Sequence, residues 1–252
     1  RLTFRTAMNN DRPWGSMVSD AHKTACRKIG EEGIVLLQNN ANLLPINLSK
    51  VKRIAVIGEN AIKMMTVGGG SSSLKVKYEV TPLEGLKKRI GKQAEIIYAR
   101  GYVGDPTGEY NGVKTGQNLK DDRSPKELRT EALQVASNAD IVLFIGGLNK
   151  SEYQDCEGTD RKTMDLPYNQ NELIMDLLQV NKKLVVINIS GTGVAMPWKN
   201  HVSTILQAWY LGSETGNALA SILMGDVNPS GKLPYTYYAC PDQCGAHKLG
   251  EY

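Results

Sequence analysis

The sequence predicts an α/β fold, a doubly wound, mainly parallel sheet of about five to six strands with helices on both faces, an α/β sandwich. Three observations predict it. Short apolar runs alternate with segments of helical period. Each run is almost continuously apolar, as a strand covered on both faces must be. Polar, glycine-bearing stretches follow the runs, where a doubly wound sheet binds its ligands.

Taken in order, an opening helix is expected over residues 19–38, because Ala25, Ile29, Val35 and Leu36 are spaced to pack on a sheet with polar residues between them. Strands are expected at 53–58, 94–99, 141–146, 184–190 and 204–209, each an apolar run bounded by turn residues. Helices are expected at 81–90, 124–139, 169–180 and 213–224. Ser124-Pro125 places a capping residue before a proline at the first helical position, and Gly225 closes the last helix. Residues 1–18, with Asn9-Asn10-Asp11-Arg12-Pro13, are turn-rich. Residues 101–122 make a long polar loop of a length that usually carries function or motion.

Composition narrows the function. With 252 residues, 41% of them hydrophobic, the chain can bury the core of one doubly wound domain. The net charge of +4 is spread along the sequence, and its densest run, Lys87-Lys88-Arg89, falls on a solvated helix face, so no nucleic-acid partner is expected. No apolar stretch approaches the roughly 20 residues of a membrane span. Cys26, Cys156, Cys240 and Cys244 are too scattered for a disulfide framework. Cys240-x-x-x-Cys244 with His247 lacks the spacing and the second pair of a zinc knuckle, so no metal is expected; a local disulfide or free thiols remain open. No cofactor is expected either. The 68–73 glycine loop lacks the Gly-Lys-Ser/Thr ending of a phosphate cradle, and Gly191-Thr192-Gly193 lacks the third glycine of a dinucleotide fingerprint.

The densest chemistry lies in residues 148–162, a loop with Glu152, Asp155, Glu157, Asp160 and Arg161 that follows the apolar run Ile141-Val142-Leu143-Phe144-Ile145. By itself it also reads as a solvated acidic loop. Other recognisable text surrounds it: Glu31-Glu32-Gly33-Ile34-Val35-Leu36-Leu37, Gly68-Gly69-Gly70-Ser71-Ser72-Ser73, Val80-Thr81-Pro82-Leu83-Glu84-Gly85-Leu86, Met196-Pro197-Trp198, and Ala208-Trp209-Tyr210-Leu211-Gly212-Ser213-Glu214-Thr215-Gly216. Gly225-Asp226-Val227-Asn228-Pro229-Ser230-Gly231-Lys232-Leu233-Pro234 closes the series. In this order, from about residue 19 onward, the text resembles the second, α/β-sandwich domain of glycoside hydrolase family 3, the β-glucosidases and β-xylosidases.

That resemblance implies an exo-acting retaining β-glycosidase acting on β-linked oligosaccharides or glycosides. It implies 1–18 as a linker from a preceding barrel domain, 19–238 as the α/β domain, and 239–252 as an exit segment toward a further domain. Glu-Gly-x-Asp-Arg assigns the general acid/base to Glu157, with Glu152 in the same loop as the alternative, and Asp160 and Arg161 as loop support. The nucleophile is an Asp on the barrel; Ser19-Asp20-Ala21 is the nearest text here, and Ser19 suits a helix cap better. Gly69, Gly70, Ser71 and Ser72 are implied at the leaving-group sugar, without the aromatic platform usual there. Trp198 and Trp209 read as core. Arg1 opens the chain without a signal-peptide pattern, so a periplasmic or secreted location rests on the resemblance alone. A non-catalytic α/β module that packs against a partner domain is the second reading of the same text.

Overall fold

Among the described residues, α-helices and strands follow in the order α1 (Leu2–Ala7), α2 (Asp20–Gly33), β1 (Val35–Asn39), β2 (Arg53–Ile57), α3 (Pro82–Ile90), β3 (Glu95–Ala99), β4 (Glu109–Tyr110), β5 (Val113–Lys114), α4 (Pro125–Ser137), β6 (Ile141–Gly147), α5 (Gln170–Val180), β7 (Leu184–Ile189), β8 (Thr204–Gln207) and α6 (Thr215–Met224). The structure, a computed structural model, describes every residue except 1, 10, 12–14, 67–69, 72–73, 105–108, 111–112, 115 and 246–252.

Local sequence starts the helices. Thr81 and Ser124 each accept a hydrogen bond from the backbone three residues on, while Glu84 and Glu127 reach back to the cap N–H, so two reciprocal capping boxes launch α3 and α4, each with proline at the start. Ser19 accepts from His22 N and caps α2, and Gly225, left-handed at φ 78°, closes α6.

The main sheet runs β1-β8-β7-β6-β2-β3, with β1 antiparallel to β8 and every other pair parallel. β4 and β5 form a separate two-stranded ribbon inside the expected 101–122 loop. Alternation along the strands sends Ile54, Val56, Leu143, Ile145, Val185 and Ile187 to one face, where Leu83, Leu86, Leu219 and Leu223 of α3 and α6 cover them. Ala55, Ile57, Val142, Phe144, Leu184 and Val186 face the other way, onto Ala132, Ala136, Leu173 and Leu177 of α4 and α5. The two helices of the first face meet at glycine: a Cβ on Gly85 would lie 2.1 Å from the Gly216 carbonyl. Any larger residue at Gly85 would force α3 and α6 apart.

Five expectations need correction. The opening helix stops at Gly33, not at residue 38, and Val35–Asn39 is a strand. The run Ile34-Val35-Leu36-Leu37 suits either period, and pairing with β8 decides it. Ile29 faces solvent at 71% exposure, so that helix packs through other residues. Residues 2–7 of the turn-rich start form a helix. β3 is not covered on both faces, since it lies at the sheet edge and is mostly half-buried. The last strand ends at Gln207, because Trp209 takes a left-handed φ of 43° that breaks the ladder, while its Nε1 donates to Gly33 O at 2.9 Å. Trp198 is fully buried, and Trp209 is half-buried. The thiols of Cys240 and Cys244 are free, as are those of Cys26 and Cys156.

Candidate active site

The carboxyl ends of β2, β6, β7 and β8 release loops along one edge, and the chain switches direction between β2 and β6, where ligands of such sheets bind. In this molecule that switch point is filled. Asn60 Nδ2 donates to Leu148 O at 3.0 Å and ties the two strand ends together. Beside it Glu59, 1% exposed, accepts from Arg100 Nη2 at 2.7 Å and from Gly104 N at 2.6 Å, with Lys63 Nζ 3.5 Å away. Asp121 stands 3.6 Å from Arg100, and its bonds to the Arg123 guanidinium hold its carboxyl well below the usual carboxylate range.

The acidic loop next to this plug is built from short-range turns. Ser151 N donates to Asn149 Oδ1 at 2.8 Å, Asn149 N to Gln154 Oε1 at 3.0 Å, and Tyr153 N to Thr159 Oγ1 at 2.9 Å. Gly158 takes a left-handed φ of 87°, which turns the chain just after Glu157. Below the loop, Gln170 is fully buried and closes the end of β6 by exchanging two 2.8 Å bonds with the backbone of Gly147.

Glu157 is exposed at the loop tip. Its carboxylate accepts from Ser71 N, and Gly70 packs so closely on it that a Cβ at Gly70 would lie 2.2 Å from Glu157 Cβ. The glycine loop and the acidic loop, far apart in sequence, thus meet at this carboxylate. Hydrogen bonds from Ser71, side chain first and then backbone, hold the Glu157 carboxyl below its ordinary value of 4.5. That direction favours the anion, the opposite of what a general acid requires. Glu152 is exposed in the same loop. Gly69 and Ser72 lie outside the described residues.

Of Asp160 and Arg161, Arg161 makes the anchoring contact: its Nη2 donates to Gly193 O at 2.5 Å, while Asp160 has no hydrogen bond or ion pair among the described residues. The carboxylate that does most in the loop is one the sequence did not single out. Asp155 accepts from Gly191 N at 2.6 Å, Thr192 Oγ1 at 2.5 Å and Tyr210 Oη at 2.8 Å. Lys150 Nζ lies 3.8 Å from the centre of the Tyr210 ring, and its burial pushes the ammonium pKa down. A cavity of about 460 Å³ opens among Lys150, Asp155, Thr159, Arg161 and Thr192. Asp155 escaped the sequence because its partners are 36 to 55 residues away and an Asp amid polar residues carries no periodic signal. Among the described residues no group of three or more His, Cys, Asp or Glu side chains is placed to hold a metal ion, and no helix is long and apolar enough to cross a membrane.

The molecule is thus a six-stranded α/β sandwich with this acidic loop at the carboxyl edge of its sheet. Residues 34–250 match the glycosyl hydrolase family 3 C-terminal domain, and the chain belongs to that family. A β-glucosidase of Bacteroides ovatus is 46% identical over 257 residues, covering 100% of this chain and 33% of the relative. A periplasmic β-glucosidase of Salmonella typhimurium is 35% identical over 87% of this chain and 29% of its own length. The solved family 3 β-glucosidase of Bifidobacterium adolescentis superposes with a TM-score of 0.77 at 31% identity, over 98% of this chain and 33% of that one. The chain therefore spans about a third of the length of the curated relatives it matches.

Proposed function

We propose that this chain supplies Glu157 as the general acid/base of an exo-acting retaining β-glycosidase whose nucleophile sits on a preceding barrel domain. Residues 1–18 serve as the linker from that barrel, 19–238 as the sandwich domain, and 239–252 as the exit toward a further domain. The observation that carries the reading is the placement of Glu157, an exposed carboxylate at the carboxyl edge of the sheet, held beside the glycine loop in a chain of this family. The exposed apolar side chains of Phe4, Met17 and Ile29 are surface that a covering domain would bury. A periplasmic or secreted location follows the family resemblance and the Salmonella typhimurium relative.

Retaining glycosidases place two carboxyl groups about 5 to 5.5 Å apart across the scissile bond. Glu157 donates its proton to the departing sugar oxygen, then takes one from the attacking water. To do so it must be protonated when the substrate is bound, whereas the hydrogen bonds from Ser71 favour its ionised form in this chain. A covering barrel that excludes water, together with the charge of the nucleophile, raises the pKa into the working range. Gly69, Gly70, Ser71 and Ser72 border the leaving-group sugar, and Asp160 and Arg161 support the loop.

The test separates the two steps. In the full-length enzyme, Glu157→Gln should lower turnover on β-linked disaccharides by about 100- to 10,000-fold. With an aryl glycoside of good leaving group, it should release a burst of phenol as the covalent intermediate forms and then stall. Glu152→Gln should give no burst. A burst with Glu152→Gln and wild-type behaviour with Glu157→Gln would assign the role to Glu152. The chain alone should not hydrolyse aryl β-glucosides above a buffer control, and turnover that co-purifies with it would place the nucleophile within these residues.

A further inference from the structure

Glu157 stands at a loop tip in solvent, yet acid/base chemistry tolerates little displacement, so some contact must hold the loop still. Two clamps do this, and both close on the same turn. On the near side the Asp155 carboxylate takes three hydrogen bonds, from Gly191 N, Thr192 Oγ1 and Tyr210 Oη, while its own N–H donates to Asn149 O at 3.0 Å. On the far side Arg161 donates to Gly193 O. Residues 155 to 161 therefore form a short arch whose two feet stand on Gly191-Thr192-Gly193.

The turn that receives both feet is itself rigid. Under it, Asn188 Nδ2 donates to Gln207 Oε1 at 2.5 Å and to Ser190 Oγ at 2.9 Å, Gln207 Nε2 donates to Ser190 O at 2.8 Å, and Ser190 Oγ donates to Thr192 O at 2.9 Å. Asn188, Ser190 and Gln207 are all buried. Bonds to an ionised carboxylate are about twice as strong as neutral ones, and three converge on Asp155. Only Cys156 separates that knot from Glu157, so the chain between them reaches at most about 7 Å.

We infer that Asp155 is a positioning residue for the acid/base: it bonds to the ends of β7 and β8 and fixes where the Glu157 carboxyl meets the glycosidic oxygen. This rests on the assignment of Glu157 made above. Three protein donors hold both oxygens of the Asp155 carboxylate, which acts through Glu157.

A double-mutant cycle in the full-length enzyme tests it. Asp155→Ala should lower kcat about 10- to 100-fold on a glycoside with a poor leaving group and leave KM within about threefold, while the rate of the initial burst of dinitrophenol from the corresponding glycoside, which reports formation of the covalent intermediate, changes less than threefold. Thr192→Val, which removes one of the three donors, should give the same pattern in smaller measure and serves if Asp155→Ala does not fold. In a Glu157→Gln background, adding Asp155→Ala should cost less than a further twofold. A loss equal across all leaving groups, or one that multiplies in full on top of Glu157→Gln, would show that Asp155 supports the fold and not the acid/base. If Glu157→Gln is itself as active as wild type, the acid/base assignment fails and this inference falls with it.

Discussion

Glu59 and Glu157 leave the same sheet edge, one after β2 and the other in the loop after β6, two strands that lie side by side. Glu59 is 1% exposed and surrounded by Arg100, Lys63 and Gly104 N. Glu157 is exposed and, among the described residues, bonded to Ser71 alone. The first lies at the switch point where such folds often bind ligands, and there it serves as a plug that holds two strand ends together. The second lies a loop's length away and keeps its carboxylate accessible. Position at the edge does not make a carboxylate chemical; what matters is whether its charge is already neutralised inside the protein.

The contrast is sharpest in stability. Glu59→Gln leaves Arg100 and Lys63 buried without their shared counter-charge, and should cost about 3 to 5 kcal/mol in urea unfolding of the chain. Glu157→Gln removes an exposed charge and should leave the urea unfolding midpoint close to that of wild type. A loss below about 1 kcal/mol for Glu59→Gln would break the comparison, because the cluster would then be no anchor.

A smaller effect probes the glycine loop. Gly70 has a φ of 118° and no room for a Cβ against Glu157, so Gly70→Ala must displace the carboxylate or the loop. Steady-state kinetics of the full-length enzyme should show turnover reduced by up to about 100-fold, the scale of an ångström-sized misplacement. Unchanged turnover would mean that Glu157 does not work from the position it holds beside Ser71.

The smallest expected effect is a titration. In the chain alone, NMR of the Glu157 carboxyl should give a pKa below 4.5, because Ser71 bonds to the ionised form. The sign follows: a depressed carboxyl pKa means that the contact is fully formed above the ordinary value and is lost as pH falls through the lower folded one. Ser71→Ala removes the hydroxyl and should move the Glu157 pKa back toward 4.5. An unmoved value would leave the backbone N–H as the whole cause.

How much of this was legible in the sequence varied with the distance over which each feature is decided. The buried strands β6 and β7 and the capped helices α3 and α4 could be read within a residue or two, because their signals are local: apolar runs bounded by turns, and Thr81-x-x-Glu84 and Ser124-x-x-Glu127 boxes. β1 could not, because its apolar residues suit a helix as well as a strand until β8 lies beside them. The glycosidase motif pointed to Glu157, yet nothing in its neighbourhood announced Ser71 as the partner of that carboxylate or Asp155 as the foot of its loop.

The sequence by itself determined the alternation of strands and helices, the cap chemistry, the polar loops at strand ends and the resemblance to family 3, since all of these are written in residues close together along the chain. Only the tertiary structure decided which carboxylate is sealed and which is open. Glu59 is sealed because β3 and the segment after it deliver Arg100 and Gly104 N. Asp155 is pinned because the ends of β7 and β8 bring Gly191, Thr192 and Tyr210 to it. Glu157 stays open because, among the described residues, packing brings it only the glycine loop. A carboxylate's role depends on the donors that surround it, and those donors arrive from strands that are neighbours in the sheet and distant in the chain.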